Sequence, residues 1–306
     1  MSALTYPEAL VVGAFQGVTE LFPVSSLGHS ILIPALVGGR WARDLSVSRP
    51  ESPYLAFIVG LHVATALALL AFFWRDWVRI IGGFFASLRY RRVETPDQRL
   101  AWLIVLATIP VGVSGLLLEH LFRTTLGKPV PAAVFLTVNG LILYGAERLR
   151  RRASIEGDAA VAAAGGQPEA ALALASDRRL ARLTFRAGTL IGTAQVLALL
   201  PGISRSGVTM AAGLLRGLSH EDSARFSFLL ATPVILAAGA LKLPDLFGPL
   251  GKGIGGQVLV GSVASFVSAY TAVRFLTRYF QTRTLTPFAV YCCAAGLASL
   301  AVLTLH

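Results

Sequence analysis

Residues 13–29 read GAFQGVTELFPVSSLGH, and residues 192–207 read GTAQVLALLPGISRSG. Each lies inside a longer apolar stretch, residues 10–37 and 187–215, and interrupts it with proline, glycine and hydroxyls. Each also carries one unambiguous charge, Glu20 in the first and Arg205 in the second. A helix facing lipid would not carry such a centre. Broken backbone survives at membrane depth only where it is buried in protein or lines a wet cavity. The two stretches therefore read as half-helices folded into re-entrant hairpins, over residues 7–37 and 187–216.

Working outward, uninterrupted charge-free runs occur at residues 54–74, 100–118, 131–146, 226–241, 254–273 and 284–305. Each approaches the ~20 apolar residues that cross a bilayer as a helix, so six spans are expected. Composition agrees: of 306 residues 55% are hydrophobic and only 14% charged, against about a quarter in soluble domains. A disordered chain, a disulfide scaffold and an ordinary soluble enzyme are excluded. The net charge of +11 then marks cytoplasmic loops, and no nucleic-acid partner is expected. If the first hairpin enters from outside and the spans alternate, 19 Lys and Arg fall inside and 7 outside, with Arg205 counted to neither. That is the positive-inside bias. It puts the C-terminus and the loop at residues 38–53 outside.

Residues 153–176 are Ala/Gly-rich without hydrophobic period and are expected to be an unstructured cytoplasmic linker. Residues 77–88 are too short to span and are expected in the membrane interface. The adjacent Cys292 and Cys293 read as packing residues. Residues 1–13 lack a basic region and hold Glu8, unlike a cleavable signal peptide.

The two hairpins resemble each other. With Gln16 set on Gln195, Gly13 falls on Gly192, Ser25 on Ser204 and Gly28 on Gly207. Each hairpin is followed by three spans, an odd number, so the second copy must be inverted relative to the first. The expected architecture is an all-α integral membrane protein: six transmembrane helices plus two re-entrant helical hairpins in an inverted-topology repeat. Its parts are a first repeat at 1–149, the linker at 150–178 and a second repeat at 179–306.

Ionisable groups at that depth are costly and mark function by default, although a structural Glu20–Arg205 ion pair is the plain alternative. Gln16 and Glu20 share a helix face at i,i+4. Pro23 ends their helix, Ser25 or Ser26 can cap the next, and His29 follows Ser26 by one turn. A hydroxyl near an imidazole and a carboxylate is the arrangement of an activated nucleophile. His62, alone in its span, reads as an ordinary hydrogen-bonded histidine. Around Arg205, Gly202, Ser204, Ser206, Gly207 and Thr209 surround a fresh helix N-terminus. Free N–H groups, a positive dipole end and a guanidinium together suit phosphate. With Gly28 opening the opposite helix, the tips read as a shared phosphate cradle.

These motifs, residues 13–34 and 201–239, resemble the two signatures of the undecaprenyl-diphosphate phosphatase family, and residues 107–122, ATIPVGVSGLLLEHLF, are similar to a weaker third block. The resemblance implies a membrane pyrophosphatase that hydrolyses undecaprenyl diphosphate to undecaprenyl phosphate and inorganic phosphate, recycling the lipid carrier for cell-wall synthesis, in the bacterial cytoplasmic membrane with its active site open to the outer face. It implies the same six spans and two hairpins. It implies catalytic roles for Glu20, Ser26, His29 and Arg205, phosphate contacts from Ser25, Ser204, Ser206 and Thr209, and a divalent cation, Mg²⁺ or Ca²⁺, for which Glu20 is the candidate ligand. Gln16 stands where many members have a second Glu, Leu27 where a hydroxyl is common, and the Ala/Gly linker is an expansion.

The expected chemistry is in-line attack on the terminal phosphorus by Ser26, activated by His29. Arg205 and both helix N-termini would stabilise the phosphoryl oxygens. A metal-activated water with Ser26 only binding phosphate stays open. So does a polyprenyl-phosphate flippase using the same cradle, as does the oligomeric state, a homodimer included.

Overall fold

Local signals start the helices where the apolar runs begin. Thr5 and Glu8 form a capping box, with Thr5 N–H bonded to Glu8 Oε2 at 2.8 Å, and α1 (Tyr6–Leu21) follows until Pro23 stops it. The computed structural model describes residues 4–39, 45, 53–153, 169–248 and 253–305. Among these it is helical throughout, with no strand. After α1 come α2 (Ser26–Val37), α3 (Pro53–Phe72), α4 (Trp74–Tyr90), α5 (Pro96–Leu126), α6 (Pro129–Ala153), α7 (Glu169–Leu180) and α8 (Phe185–Thr193). A 3₁₀ segment, Ala194–Leu199, then leads through a turn to α9 (Arg205–Leu215), α10 (His220–Phe247), α11 (Gly255–Thr282) and α12 (Thr286–Leu305).

Five of these helices are long and apolar enough to cross a membrane: Pro96–Leu118, Pro129–Arg151, His220–Lys242, Gly255–Thr282 and Thr286–Leu305. The sixth expected span is bent. Phe57–Phe72 meets Trp74–Tyr90 at 86°, so α4 leaves α3 nearly at right angles. One face of α4 buries Ile80 and Ser87, while Trp74, Val78 and Phe85 are exposed.

Close packing follows from small residues. α1 lies on α11 and α8 on α5: a Cβ at Gly13 would strike the Gly261 backbone, and one at Gly192 the Ala107 backbone. α6 crosses α12 through Gly140, set against Ala289 and Cys293, and Gly296, set against Ala133 and Thr137. Small residues let backbones approach in the absence of a hydrophobic drive between membrane helices.

The expected linker needs correction. Residues 154–168 lie outside the described residues, but 169–176 are helical, as the first two turns of α7. Alanine favours helix where a partner surface holds it, and here the partner is electrostatic. Asp177, buried, pairs with Arg225 through Nε at 2.7 Å and with Arg79 through Nη2 at 2.7 Å. Ser176 donates to Asp222, which also takes Arg179 Nε at 2.7 Å. The Asp222 hydrogen bonds hold the Arg179 guanidinium above its usual range. Thus several arginines that look like bare loop charges are spent on docking α7. Removing one partner of a buried pair strands the other, so Asp177→Ala is expected to cost about 3 kcal/mol. It should be read as a lower thermal midpoint in detergent, with the folded fraction keeping its turnover.

Candidate active site

Proline and glycine shape both hairpin tips. Beyond Pro23, Ser25 takes φ 69° and ψ 99°, a left-handed conformation that costs a residue with a Cβ. Its Oγ accepts the Gly28 N–H at 3.2 Å and so caps α2. In the second tip Gly202 sits at φ 112°, where a Cβ would meet the α6 backbone. Ser204 then caps α9, its Oγ accepting the Gly207 N–H at 3.2 Å. The tips touch: a Cβ on Gly28 would stand 2.8 Å from Gly202 Cα. Two helix N-termini thereby converge, and the first-turn N–H groups of Ser26, Leu27, Arg205 and Ser206 have no intrahelical acceptor.

Between the tips lies a cavity of about 180 Å³, bordered by Thr19, Glu20, Ser25, Ser26, Leu27, His62, Val111, Gln195, Ser204, Arg205 and Val234 among others. Glu20 is its hub. Its Oε1 accepts Arg205 Nη2 at 2.7 Å, and its Oε2 accepts Ser26 Oγ at 2.5 Å and Gln16 Nε2 at 3.1 Å. His62 Nε2 lies 3.5 Å from the same oxygen and 3.3 Å from Gln16 Nε2. Its Nδ1 is turned to the Ile58 carbonyl at 2.9 Å. Arg205 Nη1 is buried and has no hydrogen-bond partner among the described residues. Buried donors are almost always paired, so a guanidinium with one paired and one unpaired nitrogen is prepared for an anion.

Several expected residues do other work. His29 does not bond Ser26, since its Nδ1 meets the Ser25 carbonyl at 2.7 Å and its Nε2 meets Tyr291 Oη at 2.8 Å. The hydroxyl expected against His29 is against Glu20 instead. Held by the Tyr291 hydrogen bond and stacked on its ring, with centroids 5.7 Å apart, His29 does not border the cavity. Ser204 and Ser206 donate to the Phe22 carbonyl at 3.4 and 3.2 Å, which ties tip to tip. Thr209 donates to the Arg205 carbonyl at 2.7 Å within its own helix. Gly28, Gly207 and Thr209 do not border the cavity, whereas Ser25 and Ser204 do.

Sequence reasoning passed over three residues. His62 reaches the Glu20 hub from α3; its signal was an ionisable side chain inside an apolar span. Tyr291 of α12 holds His29. Asn139 of α6, fully buried, accepts the Ser204 N–H at 3.0 Å and donates to the Pro23 carbonyl at 3.1 Å, so one amide clamps both tips. Asn139→Leu leaves the Ser204 N–H buried and unpaired, at about 1–3 kcal/mol, and the Pro23 carbonyl with only the weak Cys292 thiol donor at 3.7 Å. The expected result is a lowered thermal midpoint and, for protein still folded, a kcat down about tenfold (~1.4 kcal/mol) as the tips separate.

Residues 9–298 match the family described as bacitracin resistance protein BacA. The chain belongs to the BacA family. Within it, the chain is 73% identical, over 99% of both chains, to a protein of Mycolicibacterium paratuberculosis named undecaprenyl-diphosphatase. It is 54% identical over 97% of both chains to undecaprenyl-diphosphatase 1 of Frankia casuarinae. It is 42% identical over 96% of both chains to undecaprenyl-diphosphatase 2 of Burkholderia orbicola. All three relatives are named for action on a diphosphate, an anion.

Proposed function

We infer that this membrane protein is an undecaprenyl-diphosphate phosphatase, releasing inorganic phosphate and leaving undecaprenyl phosphate for reuse in cell-wall synthesis. The observation that carries the site reading is the Arg205 guanidinium between two helix N-termini, its Nη2 on Glu20 and its Nη1 without a partner among the described residues. Ligand pockets usually enclose about 300–1,000 Å³. The cavity of about 180 Å³ suits the diphosphate head and excludes the polyprenyl tail.

In the mechanism we propose, the head group enters with its terminal phosphoryl between Ser26 and Arg205. Ser26 Oγ bonds to the terminal phosphorus and passes its proton to Glu20 Oε2, replacing the expected His29. The anhydride P–O bond breaks, and undecaprenyl phosphate leaves with the proton returned by Glu20. Water then hydrolyses the phosphoserine with Glu20 as base, which passes the water proton on to the Ser26 oxygen as inorganic phosphate departs. Arg205 Nη1 and the first-turn N–H groups take the charge on the phosphoryl oxygens, the electrostatic term that dominates phosphoryl transfer. His62 and Gln16 orient the Glu20 carboxylate, and His29 with Tyr291 fixes the first tip.

The residues fit a divalent cation in one mode. Among the described residues no three His, Cys, Asp or Glu side chains converge, and Glu20 is the lone carboxylate at the cavity. Mg²⁺ is commonly held by one or two carboxylates together with substrate phosphates. Glu20 would hold such a cation together with the substrate's phosphate oxygens, and the cation would neutralise diphosphate charge; Gln16 turns its Nε2 to Glu20 and does not border the cavity. Calcium, which takes six to eight oxygens, fits this sparse set less well.

The inverted repeat, with its division at the linker, is likewise our reading, and reciprocal contacts support it. Gly13 on Gly261 answers Gly192 on Ala107, and the repeat alignment pairs Gly13 with Gly192. Gly140 on Ala289 and Cys293 answers Gly296 on Ala133 and Thr137 at one constant offset. Such swapped pairs are what a pseudo-two-fold axis produces. The arginine bias supports a cytoplasmic-membrane location with the site open outward.

Purified protein in detergent, given undecaprenyl diphosphate, should release inorganic phosphate. Detergent has no two sides, so turnover there speaks for the enzyme. Lipid movement in liposomes without phosphate release would instead speak for a flippase.

A further inference from the structure

The cavity has no room for the tail, yet a groove of about 720 Å³ lies behind its wall, between α4, α5 and α10. The lining is apolar, with Ile81, Phe84, Val105 and Gly112 among its residues. Thr108, on the same wall, turns its hydroxyl into its own helix, donating to the Ile104 carbonyl at 2.8 Å. Two pairs of consecutive residues join groove to cavity. On α5, Val111 borders the cavity and Gly112 the groove; on α10, Val234 borders the cavity and Pro233 the groove. Successive helical residues point about 100° apart, so the α5–α10 seam is a single wall with the head-group site on one side and the groove on the other.

From Ala101 to Leu116 the groove follows about 22 Å of α5 at 1.5 Å per residue. A Cβ added at Gly112 would meet open space, so the groove is unobstructed where it abuts the cavity.

We propose that this groove is the binding site for the polyisoprenyl tail of the substrate, which passes Val111 and Val234 and lies along α5 towards α4. The proposal rests on the phosphatase reading. The other candidate occupant is an ordinary bilayer lipid, and chain length separates the two. A tail of three isoprene units reaches only the cavity end, whereas eleven units run the groove's length.

The test compares KM for undecaprenyl and farnesyl diphosphate in the full-length protein. Val105→Trp, well along the groove, is expected to raise KM for undecaprenyl diphosphate about tenfold with kcat kept, and to leave farnesyl diphosphate within about twofold. Gly112→Trp, at the cavity end, should raise both. Unchanged KM for both substrates in Val105→Trp, or an equal rise in both, overturns the proposal and leaves the groove to bilayer lipid. Farnesyl turnover reports folding in the same assay; if Val105→Trp does not fold, Ile81→Trp on the facing wall carries the same readout. Wild-type protein that releases no phosphate from either substrate would sink the phosphatase reading instead.

Discussion

Arg205→Ala is expected to lower kcat at least a thousandfold, about 4 kcal/mol of transition-state stabilisation, in protein that remains folded. Three features of the site set that size. Among the described residues the guanidinium is the only cation bordering the cavity other than a protonatable His62. It is held by Glu20 Oε1 at 2.7 Å, so its direction is fixed before substrate arrives. Its Nη1 is buried and has no partner among the described residues, so it is placed to donate to a phosphoryl oxygen. Arginines acting on a transferring phosphoryl group supply about 10³–10⁵ in rate, while removal of one fixed oxyanion donor costs about 10²–10³. Arg205→Lys keeps the charge but cannot hold Glu20 and a phosphoryl oxygen through one planar fork, and a loss of about a hundredfold is expected. A purely structural ion pair makes a different prediction. Breaking it would cost about 3–5 kcal/mol of stability and leave turnover per folded molecule intact. Turnover should therefore be normalised to the monodisperse fraction in detergent; wild-type kcat in folded Arg205→Ala would remove Arg205 from the site.

The sequence was most legible where one residue's cost could be judged alone. A charge, a proline or a glycine inside an apolar run is expensive wherever it ends up, so Glu20, Pro23, Gly202 and Arg205 announced the broken hairpins. Partnerships across helices were not legible in this way. Ser26 and His29 are three apart on α2, which favours a contact, but Tyr291, 262 positions further on, decides the ring's direction. His62 looked solitary because its companions, Gln16 and Glu20, are on α1. The same limit hid α7. Ala-rich sequence with flanking arginines reads as linker until Asp177 is seen between Arg79 and Arg225. The bend at Phe73 was half legible: the apolar run ended on time, but nothing local fixed its 86°.

Ser26→Ala decides how the phosphoryl group is transferred, and a loss of about 10⁴ in kcat (~5.5 kcal/mol) is expected. Ser26 Oγ is 2.5 Å from Glu20 Oε2, the separation of a strong charge-assisted hydrogen bond, and it opens α2 where the helix dipole favours the developing oxyanion. A carboxylate that already accepts the hydroxyl's hydrogen bond is a general base in place, and nucleophile with adjacent base is the pairing that covalent catalysis needs. If Ser26 only bound phosphate, its loss would remove one hydrogen bond, about 1.5–3 kcal/mol to a charged group, and turnover would fall roughly ten- to a hundredfold. Water would then be the nucleophile and Glu20 its base. The two routes also differ in what accumulates. Acid quenching during turnover should trap phosphate on Ser26, detectable as a mass increase on the peptide carrying it. Glu20→Gln should slow formation and breakdown of that adduct together, because both steps need the same base. Turnover in Ser26→Ala within a hundredfold of wild type, with no adduct in the wild-type quench, would transfer the attack to water.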